Sequence, residues 1–163
     1  MKKLLAFTAL LLTAALPSAF AQSSSSVGTW KFDAAQSDLG SQPKPKSMML
    51  VITKDTPQML AWHVREIDAD GKTTHESWHG PQDGSMQTLR RTGGNGQASF
   101  QNNNGEFTIH EKMANGVTAE SAVTNSDGGN TMTEHVTGTD KKGQQFTETI
   151  VWHRVMHTKH KTM

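Results

Sequence analysis

Seven turn signals punctuate the chain after residue 60. They are DADG (68–71), PQDG (81–84), GGNG (93–96), NNNG (102–105), ANG (114–116), SDGG (126–129) and DKKG (140–143). In each, glycine follows a turn-forming residue and supplies the positive φ that tight hairpin turns require. The stretches between them are five to eleven residues long and alternate apolar with polar side chains, which is the period of a half-buried strand. The pattern predicts strands near 27–32, 47–53, 58–67, 73–79, 86–91, 97–101, 106–112, 117–124, 131–138 and 144–154. Short strands joined by hairpin turns make an antiparallel meander. A single open sheet of that size leaves two bare edges, and closure removes them. The predicted fold class is therefore all-β, an antiparallel up-and-down β-barrel of about eight to ten strands. Helical character is confined to Asp33–Leu39, where Asp33 can cap a single turn. SQPKPK (41–46) reads as an extended link, because each proline excludes its predecessor from the helical region.

The chain begins Met1-Lys2-Lys3, followed by the apolar run LLAFTALLLTAALPSAF, which Pro17 breaks near its end. Ala19-Phe20-Ala21 fits the small-x-small cleavage rule. Residues 1–21 are thus predicted to be a Sec signal peptide cleaved after Ala21, with the periplasm as the destination and secretion beyond it as the alternative. The run is too short and wrongly flanked to span a membrane, and no later run replaces it. There is no cysteine, hence neither a lipoprotein attachment thiol nor a disulfide framework. Without the two leader lysines, fourteen basic residues face fifteen acidic ones, a net charge of −1. A near-neutral mixed surface carries no nucleic-acid footprint. The remaining 142 residues suit one domain, 22–154, followed by a basic tail over 155–163 that is expected to be disordered.

The first predicted strand opens Gly28-Thr29-Trp30-Lys31-Phe32, and the last, FTETIVWHRV (146–155), carries Arg154 on the face of Phe146, Ile150 and Trp152. Gly-x-Trp at the start of a first strand, paired with a last-strand arginine, resembles the calycin superfamily of lipocalins and fatty-acid-binding proteins. The opening GTWKFDAAQSDLG is also similar to exported bacterial lipocalin-like proteins that begin Trp-Lys-Leu-Asn, with Phe32-Asp33 here in place of Leu-Asn. The resemblance implies that Gly28, Trp30 and Arg154 close one end of the barrel. The arginine would lie across the indole, a contact worth about 1–2 kcal/mol when sheltered. It also implies a short helical turn after the first strand. An ordinary core tryptophan of a different β-sandwich is the competing explanation of Trp30.

The inward faces carry the functional information. The alternation places Leu60, Trp62 and Val64 on one inward face, and Thr74, Glu76 and Trp78 on the next. Phe107 and Ile109 follow, then Met132, Glu134 and Val136, and finally Phe146, Glu148, Ile150 and Trp152. MTEHV and FTETI flank the turn GTDKKGQ, and a loop centred on Lys141 would set Glu134 directly opposite Glu148. Register is the weak point of that pairing. Neighbouring inward carboxylates cost desolvation and repulsion. A metal ion, a cationic or polyhydroxyl ligand, an internal arginine such as Arg90, or water would each compensate. The candidate ligand-binding set is Trp62, Trp78, Glu76, Glu134 and Glu148. The competing reading leaves these glutamates solvated at an open mouth or paired with basic residues. No nucleophile motif accompanies them, so no catalytic residue is assigned.

Eight histidines raise the question of a metal. His63, His75, His79, His110, His135 and His153 fall on the outward face, and the spacing of His75 and His79 puts them roughly 13 Å apart along a strand. His157 and His160 belong to the tail. No metal site and no cofactor are expected. Met48, Leu50 and Ile52 form one face of the second strand, with Met49 and Val51 on the other. That suits adaptable packing, or a partner surface if the outer face is exposed. The leading functional expectation is an exported non-catalytic protein holding a small ligand inside the barrel. The alternatives are an envelope protein-interaction module with a filled core and a metal-handling protein.

Overall fold

Alternation and turn chemistry produce ten strands. They are β1 (Gly28–Phe32), β2 (Ser47–Thr56), β3 (Met59–Ile67), β4 (Thr73–Gly80), β5 (Gln87–Arg91), β6 (Gly96–Asn103), β7 (Glu106–Met113), β8 (Thr118–Ser126), β9 (Thr131–Thr139) and β10 (Gln145–Arg154). The computed structural model of the chain describes residues 25–103 and 106–156. Every strand pairs antiparallel with its sequence neighbours, and β1 closes on β10. The up-and-down barrel predicted from the alternation is therefore the fold, at the upper end of the expected strand count. The leader predicted over 1–21, and residues 157–163 of the tail, lie outside the described residues. Val155, at the head of that tail, still donates its N–H to Thr29 O at 2.8 Å.

The largest boundary difference is in β2, which runs three residues past the predicted end. A register shift between Ile52 and Lys54 bends the strand there and lets pairing continue to Thr56. The helical character expected at Asp33–Leu39 is one closed turn. Ser37 N–H donates to Asp33 O at 3.1 Å, and Asp33 Oδ1 accepts from Ala35 and Gln36 N–H.

The β9–β10 turn corrects the expected pairing of the glutamates. Asp140 Oδ1 accepts from both Lys142 and Gln144 N–H, and Gly143 takes φ +81°. These contacts close a five-residue loop centred on Lys142, one residue beyond the expected centre. Glu134 consequently faces Ile150, and Glu148 faces Val136. The two carboxylates stay on the same inward face but sit diagonally, about 7 Å apart at Cα rather than directly opposite. His135 accordingly faces Thr149.

One end of the barrel is packed solid. Trp30 and Leu89 are fully buried, and Ile52, Leu60, Trp78, Phe100 and Trp152 surround them. Burying an aromatic side chain of this kind contributes about 2–3 kcal/mol. The other end is crossed by the segment 33–46. It is pinned to β10 by Asp33 N–H to Val151 O (2.8 Å), Val151 N–H to Ser37 Oγ (2.9 Å) and mutual Asp38–Thr149 bonds. Lys44 Nζ steadies it internally by donating to Ala34 O and Ser37 O. Leu39, Gln42, Pro43 and Pro45 of this strap line the space beneath.

Candidate ligand cavity

The barrel closure is built around one indole. Trp30 Nε1 donates to Ser26 O at 2.9 Å, and the Arg154 guanidinium lies 4.3 Å from the indole ring centre. Cross-strand pairing sets this contact, because Trp30 is opposite Arg154. Arg154 also donates to three carbonyls, Gly129 O, Val27 O and Ser25 O, at 2.7–2.9 Å. Gly28 leaves room for it, since a Cβ there would sit 2.7 Å from Arg154 Nη1, at φ +151°. Asp55 ties the same end together by accepting from Ser26 N–H, Ser26 Oγ and Gln82 Nε2.

Above this floor lies a cavity of about 440 Å³. Its lower wall is apolar, with Leu60, Trp62, Phe100, Phe107 and Trp152. Its upper wall is acidic, with Glu66, Glu76, Glu111, Glu134 and Glu148. Of the five residues assigned from sequence as ligand contacts, Trp62, Glu76, Glu134 and Glu148 line the cavity. Trp78 does not. It is 2% exposed, its indole N–H donates to Ala98 O, and it packs 4.3 Å from Phe100, supporting the wall from within.

Three charged site residues escaped the sequence reading, and extending the alternation by one step finds each. Leu60, Trp62 and Val64 lead to Glu66, Phe107 and Ile109 lead to Glu111, and Leu89 leads to Arg91. The arginine that lines the cavity is thus Arg91, at its exposed rim, and not Arg90. Arg91 pairs across strands with Glu76 and lies 3.4 Å from its carboxylate, whereas Arg90 is exposed on the outer wall.

The carboxyls are ringed by protein except where the cavity opens, so desolvation is the first cause of every shift among them. Glu111 is pushed up to about 8, by burial first and then by Glu76 and Glu134, against the opposing effect of Arg91. Glu134 is raised by burial, with Ser121 and Trp152 acting the other way. Glu76 is raised by burial although Arg91 opposes it, and Glu148 by burial and by Glu134. Each carboxyl that ionises makes the next harder to ionise.

Two indole nitrogens of the lower wall, Trp62 Nε1 and Trp152 Nε1, are buried without a hydrogen-bond partner. Trp152 is 4% exposed, and its N–H faces the Glu134 carboxyl without closing a bond of standard geometry. Orphan donors in an enclosed site cost about 1–3 kcal/mol each unless an acceptor arrives.

The histidines of the strands are outward, as expected, and all but His153 are exposed. His153 is engaged by Asp33 Oδ2 (3.1 Å), Gln36 Nε2 and Thr131 Oγ1. Among the described residues, no three metal-ligating side chains converge. Met49 and Val51 on the outer face of β2 are half-buried rather than exposed.

No family profile matches the chain, and no curated protein matches it. Sixteen solved chains do match in structure. One of them, described as "REP1-NXSQ fatty acid transporter", superposes with a TM-score of 0.55 at 11% identity, covering 81% of this chain and 97% of its own. A likeness at that identity is a likeness of fold. The strand order makes this chain a closed ten-stranded antiparallel barrel, and the likeness is to that fold.

Proposed function

We propose that the chain is an exported, non-catalytic carrier that holds a small ligand inside its barrel. The observation that carries this reading is the cavity of about 440 Å³ between an apolar floor and a polar rim. That volume falls within the range of small-molecule sites, and so does its mixture of apolar walls with a few convergent polar groups. The fatty acid transporter neighbour supports the reading at the level of fold only. The predicted leader over residues 1–21 supports export to the periplasm. Trp62, Glu76, Glu134 and Glu148 are the proposed contacts, joined by Glu111 and Trp152. Gly28, Trp30 and Arg154 hold the floor. The alternative of an interaction module with a filled core is disfavoured by the same cavity.

The test is a titration of ¹⁵N-labelled protein with dodecanol, an uncharged probe, reading the indole N–H signals. Trp62 and Trp152 should shift, while Trp30 and Trp78, whose N–H groups are bonded to Ser26 O and Ala98 O, should not. Saturating dodecanol without movement of any indole signal would refute the carrier reading.

A further inference from the structure

The lining of the cavity also points to the class of its ligand, an inference that rests on the carrier reading above. Five glutamates face the space and a single arginine answers them, with no lysine or histidine among the described lining residues. Arg91 is already committed to Glu76 at 3.4 Å. Each of these carboxyls that is ionised would repel an anionic headgroup, in a weakly screened enclosure where Coulomb terms are several times larger than in water. A cation would meet the opposite.

A second, independent observation concerns Trp152. Its buried indole N–H closes no bond of standard geometry, yet it acts on the Glu134 carboxyl as a donor that favours the ionised form. An ionised carboxylate is a far stronger acceptor than a protonated one. A cation held against Glu134 would keep it ionised and so strengthen its contact with Trp152. The aromatic faces of Trp62 and Phe107 in the same wall also favour a cation through their ring quadrupoles.

We infer that the ligand is a cationic amphiphile: an organic ammonium lodged between Glu111, Glu134 and Glu148, with its apolar body against Trp62, Phe107 and the floor. Burial first, and its acidic neighbours second, push Glu111 up to about 8, so a cation beside it expels the proton it holds near neutral pH.

The experiment compares three probes with one tail, dodecyltrimethylammonium, dodecanoate and dodecanol, each below its micelle concentration, by calorimetry on the chain without residues 1–21. The trimethylammonium probe should bind at least about tenfold more tightly than dodecanoate, and with proton release. The double variant Glu111→Gln, Glu134→Gln should lower its affinity about tenfold, with an unchanged far-UV circular dichroism spectrum showing that the variant is folded. Binding of dodecanoate as tight as that of the cation would overturn the inference, and loss of that binding in Arg91→Gln would identify an anion carrier instead. Failure of all three probes would sink the carrier reading itself, a result distinct from loss of the charge preference.

Discussion

Replacing Glu111 with glutamine should change how stability depends on pH, and the structure fixes the sign. Glu111 is raised from 4.5 to about 8 because its carboxyl is enclosed and flanked by Glu76 and Glu134. Between those values the folded protein keeps a proton that the unfolded chain releases. The folded state therefore binds more protons, and stability falls as pH rises from about 4.5 to about 8. At 1.36 kcal/mol for each pH unit, the ceiling on this loss is about 5 kcal/mol. Water reaching the carboxyl through the cavity mouth screens part of it, so a loss of about 2–3 kcal/mol is expected. Glutamine keeps the shape and cannot ionise. Urea denaturation at a series of pH values from 4.5 to 8.5 should give equal midpoints for both proteins at the acid end. At the alkaline end Glu111→Gln should be more stable by about 2–3 kcal/mol. A residual downward slope should remain, because Glu134 and Glu148 are raised as well. Parallel profiles for the two proteins, or a wild type that gains stability toward pH 8, would refute the reasoning.

Three further outcomes follow from close approaches in the barrel. Gly28→Ala places a methyl group 2.7 Å from Arg154 Nη1 at a backbone angle that side chains rarely adopt; denaturant unfolding should show a loss of about 2–4 kcal/mol. Arg154→Lys keeps the charge but cannot donate to Gly129, Val27 and Ser25 carbonyls at once; the expected cost is about 1–3 kcal/mol, with a red shift of Trp30 fluorescence as water reaches its ring. Gly138→Ala would put a Cβ 2.5 Å from both Thr118 O and the Phe146 ring; a melting temperature lowered by the equivalent of about 1–3 kcal/mol is expected, with Phe146 displaced at the rim.

Strand existence was readable because it rests on local chemistry. The alternation and the Asp-Gly and Asn-Gly turns lie within windows of a few residues, and tertiary packing did not override them. The closure contact of Trp30 with Arg154 was readable because the resemblance carried by Gly28-x-Trp30 and a last-strand arginine implied it, and parity put Arg154 on the face of Trp152. The Glu134–Glu148 pairing was not, because it depended on the centre of one loop. Which of Asp140, Lys142 and Gly143 takes which turn position is decided by side-chain hydrogen bonds that spacing does not encode. Glu66, Glu111 and Arg91 were missed for a different reason. Each lies one step beyond the apolar part of its strand, where a charged residue reads as the start of a surface turn. Only the closed barrel, which continues the inward face into the cavity rim, turns them toward the cavity. Trp78 was placed on the cavity by parity alone. Parity gives the face but not the depth, and Phe100 stands beside it.

The most direct test of the account is native mass spectrometry of the chain expressed with residues 1–21 in a Gram-negative host and purified untagged from the periplasm. The account predicts a protein that begins at Gln22 and carries one organic molecule that leaves on denaturation, with a positively charged nitrogen in that molecule. A bare protein mass that dodecanol also fails to increase would contradict it.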